Sequence, residues 1–443
     1  MKRFVISAVS SAVLTLCMHA AETDGDIHTN FNVKLPAEKR EFPEPLPSGA
    51  QPGFKIRGMK GWAWTPERYL AEIPFMAGCK MQYLMNCYIS MYDIEHHEKW
   101  YDGDANRWWE DLPQEKKLAY EEVVRSAQQH GIQFWFSMNP NFFSKRLIND
   151  DSADSIDLFF KHYAWMQGLG VKWFNLSLDD ATNGVNVVTQ VKVANEMFHR
   201  LRARDPAAQM SFCPTYYWGD GTLEGQQPYL EVLARELDKD IYVFWTGDVV
   251  VGKLTRKAAD SFCGIVKHRV VLWDNYPCND GHHTLNLGPV TDRDLDICEV
   301  VDGYICNALE PQNEINRIPA ATCADYAYNP RAYDPMRSIG QAILSQADKP
   351  SQREVLRDLV ETYPGMLLIC SSKNKTGYNP VRAQMDHILA APQSRQTALG
   401  YVEHLENLAR RLELEFPNRY GPEKKTLDKD IQVVKQKLAA RYP

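Results

Sequence analysis

The chain has 443 residues, 44% of them apolar and 24% charged, with a formal net charge of −7. This is globular composition, not that of a disordered chain, and a chain this long buries about three-quarters of its unfolded surface without a disulfide or metal staple. With 50 Lys and Arg against 57 Asp and Glu, there is no basic surface for phosphate backbones, so nucleic acid is not an expected partner.

Residues 1–21 read as a secretory signal: Lys2 and Arg3, an apolar stretch from Phe4 to Cys17, then the small residues Ala20 and Ala21. The apolar stretch is too short to span a bilayer, and no other segment could, so an exported protein (periplasmic or secreted) without an integral membrane span is expected. Anchoring as a lipoprotein through Cys17 is the lesser alternative, because Leu16 stands where a small residue is usual. Removing the signal leaves nine cysteines. Cys213, Cys263, Cys298, Cys306 and Cys370 lie in apolar runs and read as buried reduced thiols. No C-x-x-C pair exists, so no zinc site is expected. Residues 22–54, with five prolines, read as a surface-hugging arm.

Eight strand–helix units follow. The strands are expected at Lys55–Trp64, Met81–Ser90, Ile132–Pro140, Val171–Asp180, Gln209–Tyr217, Ile241–Gly247, Arg269–Tyr276 and Val301–Leu309. Helices are expected at Glu67–Met76, Glu115–Gln129, Ile156–Gly168, Gln190–Ala203, Tyr229–Leu237 and Leu254–Lys267, with short ones near Asp292–Glu299 and Glu314–Tyr326. This alternation predicts an α/β fold, a (β/α)8 TIM barrel over 55–335. A doubly wound sheet is the rival, but there is no G-x-G-x-x-G or P-loop. Residues 336–443 carry helical spacing, clearest at Val355–Leu359, Gln384–Leu389, Ala398–Leu414 and Leu427–Leu438, and read as a small C-terminal helical region.

Barrel active sites lie at the C-terminal ends of the strands. Strand four ends in Leu178-Asp179-Asp180, strand five in Pro214-Thr215-Tyr216-Tyr217 and strand six in Trp245-Thr246-Gly247. Strand seven ends in Trp273-Asp274-Asn275-Tyr276-Pro277, with Asn279-Asp280 after it, and strand eight near Cys306-Asn307. Acids, amides, phenols and indoles on one face suit glycoside chemistry: rings stack on the sugar, polar groups take hydroxyls, carboxylates handle protons. Asp179 and Asp180 should repel, splitting their pKa values as an acid and a base require. A metal site or a solvated strand end is the other reading of the pair. His96-His97 and His282-His283 read as surface-loop residues, and no G-x-S-x-G elbow exists.

The ordered series Phe212-Cys213-Pro214-Thr215-x-Tyr217, Trp245-Thr246-Gly247, Trp273-Asp274-Asn275-Tyr276-Pro277-x-Asn279-Asp280, Leu287-Gly288-Pro289 with Arg293, Tyr328-Asn329-Pro330 and Tyr333-Asp334-Pro335 resembles the β-N-acetylglucosaminidases of glycoside hydrolase family 84. The resemblance implies a retaining, substrate-assisted hydrolase of β-linked N-acetylhexosamine, GlcNAc first, with a glycan or glycoprotein as partner and no cofactor. It implies that Asp179 orients the 2-acetamido group, that Asp180 is general acid and base, and that Tyr217 contacts the acetamido oxygen. Trp273 would wall the acetamido pocket, Asn275 would support that end, and Asp280 and Asn307 would hold hydroxyls. The first two units diverge. Lys60-Gly61-Trp62-Ala63-Trp64 replaces a Glu-Gly-Phe-Tyr-Gly stretch, with Gly61 as the substrate-binding position there. Met91 is expected where the family's sugar-binding lysine follows strand two. A non-catalytic glycan-binding protein with a decayed site is the alternative function.

Overall fold

The computed structural model describes residues 31–62, 64–92, 105–148, 153–180, 186–278, 285–308, 314–365 and 379–443. Eight parallel strands close into a barrel in sequence order: β1 (Ile56–Gly61), β2 (Tyr83–Asn86), β3 (Gln133–Met138), β4 (Trp173–Ser177), β5 (Gln209–Cys213), β6 (Tyr242–Trp245), β7 (Val270–Pro277) and β8 (Gly303–Asn307), with β8 paired back to β1. Every strand but β7 stops short of its expected C-terminal end, because polar and aromatic residues there leave the ladder to build the mouth.

The helices between the strands are α1 (Pro66–Gly78), α2 (Gln114–Gln129), α3 (Ala153–Gly168), α4 (Val187–Arg204), α5 (Gln226–Glu236), α6 (Arg256–Val266) and, after β8, α7 (Arg317–Tyr328). Their starts are set by local chemistry. Asn186 accepts hydrogen bonds from the N–H groups of Val188 and Thr189 to cap α4, and Thr255 accepts from Ala258 to cap α6. The helix expected at Asp292–Glu299 is only a 3₁₀ turn at Ile297–Glu299. Asp292 is in the left-handed region (φ 57°), which breaks a helix there, and Arg293 turns inward to a buried ion pair.

Strand alternation divides the apolar residues into two layers. Met59, Leu84, Phe136, Phe174 and Leu272 point outward under the helices, in the large core. Ile56, Met85, Trp135, Cys213, Phe244, Val271, Trp273 and Ile305 fill the barrel interior. A polar layer interrupts that interior: Asn175 donates to Ser137 and Ser177 (2.9 Å each) and accepts from Ser211 (2.7 Å). Buried polar groups of this kind are tolerated because each has a partner.

Past the barrel come α8 (Pro335–Gln346), α9 (Pro350–Thr362), α10 (Pro380–Ala390), α11 (Arg395–Glu415) and α12 (Gly421–Arg441). Their apolar faces continue the large core through Val355, Leu359, Leu405 and Leu412. The described part of the arm crosses these helices. The Val33 N–H donates to Glu361, and the Arg40 N–H to Gln341. Eight cysteines among the described residues are free thiols, six of them buried; Cys370 and the whole of 1–21, Cys17 included, lie outside those residues. No helix among the described residues is long and apolar enough to cross a membrane.

Candidate active site

The pocket opens at the C-terminal ends of the strands and is lined by Trp62, Tyr88, Asp179, Asp180, Tyr217, Thr246, Val250, Val251, Trp273, Asn275, Cys278 and Asn307. Asp179 and Asp180 follow β4 but meet opposite surroundings. Asp179 is 4% exposed, whereas Asp180 faces solvent. Asp180 is left-handed (φ 54°), a conformation that Asp tolerates better than most residues and that turns adjacent carboxylates apart.

Each carboxylate has its own tyrosine. Tyr88 donates to Asp179 Oδ2 (2.9 Å) and Tyr217 donates to Asp180 Oδ1 (2.7 Å). Asn139, just past the end of β3, donates to Asp179 Oδ1 (3.2 Å) and to its backbone carbonyl (3.1 Å). Burial pushes the Asp179 carboxyl above its ordinary range; the Lys60 ammonium is the largest influence holding it down, and the Tyr88 hydroxyl acts in the same direction. Burial and the two carboxylates keep the Tyr217 phenol protonated well above its ordinary range, so it stays a donor.

The far wall comes from β7 and β8. Asn307 donates to Asn275 Oδ1 (2.8 Å), and Asn275 donates to the Val250 carbonyl (2.7 Å). Asn307 Oδ1 and Trp273 Nε1 are buried without a hydrogen-bond partner among the described residues. An acceptor and a donor left open on one wall are what a polyhydroxylated ligand can fill. Between Trp273 and Asn275, Asp274 points outward. It forms a bidentate pair with Arg293 (2.6 and 3.0 Å) and accepts from Tyr304 (2.6 Å), which fixes β7 from behind.

Asp179, Asp180, Tyr217, Trp273, Asn275 and Asn307 thus come together as expected from the sequence; Asp280 lies outside the described residues, as do His96, His97, His282 and His283. Gly61 closes β1 beside the pocket, its carbonyl accepting from Tyr69 and from the Cys87 N–H. The side chain sent to the pocket after β2 is Tyr88 and not Met91. The strand ends at Asn86, and the 3₁₀ turn Tyr88–Met91 folds Met91 back into the outer core. Lys60, Tyr88 and Asn139 also bear on the site and are not among the residues expected from the sequence. Lys60 carries a signal there: it is a charge at an inward position of the otherwise apolar Ile56, Gly58, Lys60 series. Among the described residues no cluster of His, Cys, Asp or Glu is placed to hold a metal.

A closed (β/α)8 barrel with paired carboxylates and unfilled hydrogen-bonding groups at its mouth suits glycoside hydrolysis. The family model for β-N-acetylglucosaminidases matches residues 55–361, and the chain belongs to that family, glycoside hydrolase family 84. Among solved structures, a mutant form of the Thermobaculum terrenum O-GlcNAc hydrolase is similar at TM-score 0.70 and 21% identity, over 87% of this chain and 84% of that one. CpGH84B is similar at TM-score 0.68 and 20% identity, over 88% of this chain and 68% of that one. These likenesses share the fold.

Proposed function

We propose that the protein is a retaining β-N-acetylhexosaminidase that releases β-linked GlcNAc from a glycan or glycoprotein by substrate-assisted catalysis. The observation that carries this reading is the pairing of a buried, hydrogen-bonded Asp179 with a solvent-facing Asp180. The Asp179 carboxylate accepts the N–H of the 2-acetamido group, which turns the acetamido oxygen toward the anomeric carbon. That oxygen attacks, the glycosidic C–O bond breaks, and Asp180 gives its proton to the departing oxygen. As the ring closes, Asp179 takes the N–H proton, so the product is a neutral oxazoline on the sugar itself. Water then attacks the anomeric carbon while the Asp180 carboxylate takes its proton, the bond from that carbon to the acetamido oxygen breaks, and Asp179 returns the proton to the nitrogen, so the configuration is retained over two inversions. Tyr217 steadies Asp180 in both roles, Trp273 walls the acetamido end, and Asn275 and Asn307 face the sugar. The N-terminal pattern at residues 1–21 supports export.

Hydrolysis of an aryl N-acetyl-β-D-glucosaminide tests the reading. Asp180→Asn is expected to lose about 10²–10⁴-fold in kcat/KM, and a thiazoline mimic of the oxazoline is expected to inhibit the wild type. A wild type no faster than Asp180→Asn refutes hydrolysis. Glycan binding without turnover identifies a binding protein instead, and turnover untouched by the thiazoline refutes neighbouring-group catalysis.

A further inference from the structure

Lys60 is a buried cation beneath the pocket, packed against three of the rings that line it, and it is not among the site residues expected from the sequence. Its neighbour Met59 packs outward, so alternation sends Lys60 into the barrel, where it is fully buried. Nζ lies 3.4 Å from the centroid of the Trp273 ring, 5.1 Å from that of Tyr88 and 5.2 Å from that of Trp62. It has no hydrogen-bond partner among the described residues. An ammonium so placed has lost its water, and ring faces return only part of that loss. The rest has to come from opposite charge.

The titratable groups facing this region are Asp179 and Asp180 after β4, Tyr88 and Tyr92 in the turn after β2, Cys87 and Cys213 at the ends of β2 and β5, and Tyr217. Only the two aspartates supply negative charge, and none of the described residues lining the pocket is a cation. An anionic substituent on a ligand would meet those same carboxylates, so Lys60 is a fixed counter-charge rather than an anion-binding group. We propose that Lys60 is a positioning residue: held against Trp273, Trp62 and Tyr88, its ammonium keeps Asp179 ionised, so that the carboxylate can take the N–H of the substrate's 2-acylamino group. The inference rests on the hexosaminidase reading. Tyr88 ties the two together: the Lys60 ammonium lies 5.1 Å from its ring centroid, and its hydroxyl donates to Asp179 Oδ2 at 2.9 Å. Burial drives Asp179 toward its neutral form, and the nearby Lys60 charge opposes it.

The test uses the full chain with Lys60→Met, which keeps the stem and removes the charge, and Lys60→Arg, which keeps the charge. In the pH profile of kcat/KM on the aryl N-acetyl-β-D-glucosaminide, Lys60→Met is expected to move the acidic limb up by about one to three pH units. Lys60→Arg is expected to bring the limb back toward the wild type. A wild-type limb in Lys60→Met overturns the proposal even where the rate falls, because a packing role lowers the rate alike at every pH. A second readout needs no turnover. The carbon-13 carboxyl signal of Asp179, assigned by its loss in Asp179→Asn, is expected to titrate at higher pH in Lys60→Met than in the wild type. An unchanged titration there overturns the proposal, as does a wild-type Asp179 that titrates above neutral pH, which can be read even if the Met variant does not fold. A wild type without turnover defeats the hydrolase reading while the titration still judges Lys60.

Discussion

Tyr88→Phe isolates one hydrogen bond at the buried aspartate. The phenol donates to Asp179 Oδ2 at 2.9 Å, and the ring packs edge-on against Phe142 with centroids 5.3 Å apart. Replacement by Phe keeps the ring contacts and removes only the donor. A hydrogen bond to a charged group contributes about 1.5–3 kcal/mol, and one pKa unit corresponds to about 1.4 kcal/mol, so the Asp179 carboxyl should rise by about one to two units. Asn139 still donates at 3.2 Å, which favours the lower end. The acidic limb of kcat/KM should therefore move to higher pH by about one unit, with the plateau rate altered little. The sign for stability follows from the same shift. A carboxyl whose folded pKa lies above its unfolded value penalises the fold once ionised. The penalty grows in Tyr88→Phe at pH above the folded pKa and vanishes below the unfolded one. Kinetics across the acidic range and urea unfolding at two pH values read both effects. A limb that stays in place in a folded Tyr88→Phe protein refutes the assignment of Asp179 as the group that must be ionised.

Three further outcomes follow from the geometry. Arg293→Met leaves Asp274 buried without its cation and should cost about 3–5 kcal/mol in urea unfolding, whereas Asp274→Leu with Arg293→Met should recover most of that; a single variant within about 1 kcal/mol of the wild type would contradict this. Gly61→Ala places a methyl 2.5 Å from the Trp64 ring and 2.6 Å from that of Tyr69, an overpacking that should cost about 1–3 kcal/mol, measured as a lowered Tm. Burial pushes the Asp325 carboxyl up to about 6, so its ionised form weakens the fold above that pH. Asp325→Asn should raise stability by about 2–3 kcal/mol at pH 8 and by under about 0.6 kcal/mol at pH 4; equal effects at both would show that the carboxyl is not the cause.

The barrel was legible because its strands are short apolar runs buried on both faces, separated by helices with clear apolar stripes. The site was legible where consecutive residues carry it, as in Asp179-Asp180 and Trp273-Asp274-Asn275. Not every part of the recognised series serves the pocket, however. Arg293 and Asp274 brace β7. Tyr333 donates to the Val290 carbonyl, and Asp334 caps α8 by accepting from the Arg337 N–H. What stayed hidden depended on where β2 stops. A strand ending at Asn86 rather than Ser90 exchanges Met91 for Tyr88 at the pocket, and no local propensity marks that difference. Asn139 reaches Asp179 from the neighbouring strand β3, and Lys60 is brought near it from β1 only when the barrel closes, relations that periodicity within one strand cannot reveal.

The arm joins the beginning of the described chain to its C-terminal helices. Val33 and Arg40 bond to Glu361 and Gln341, partners 328 and 301 positions further along. During synthesis every barrel strand emerges before either partner exists, so these two hydrogen bonds can form only once α8 and α9 have been made. Those two bonds need α8 and α9 in place, whereas Glu41 and Pro43 of the same segment are held by Lys80, just before β2, so the arm ties the beginning of the barrel to the helices that follow it.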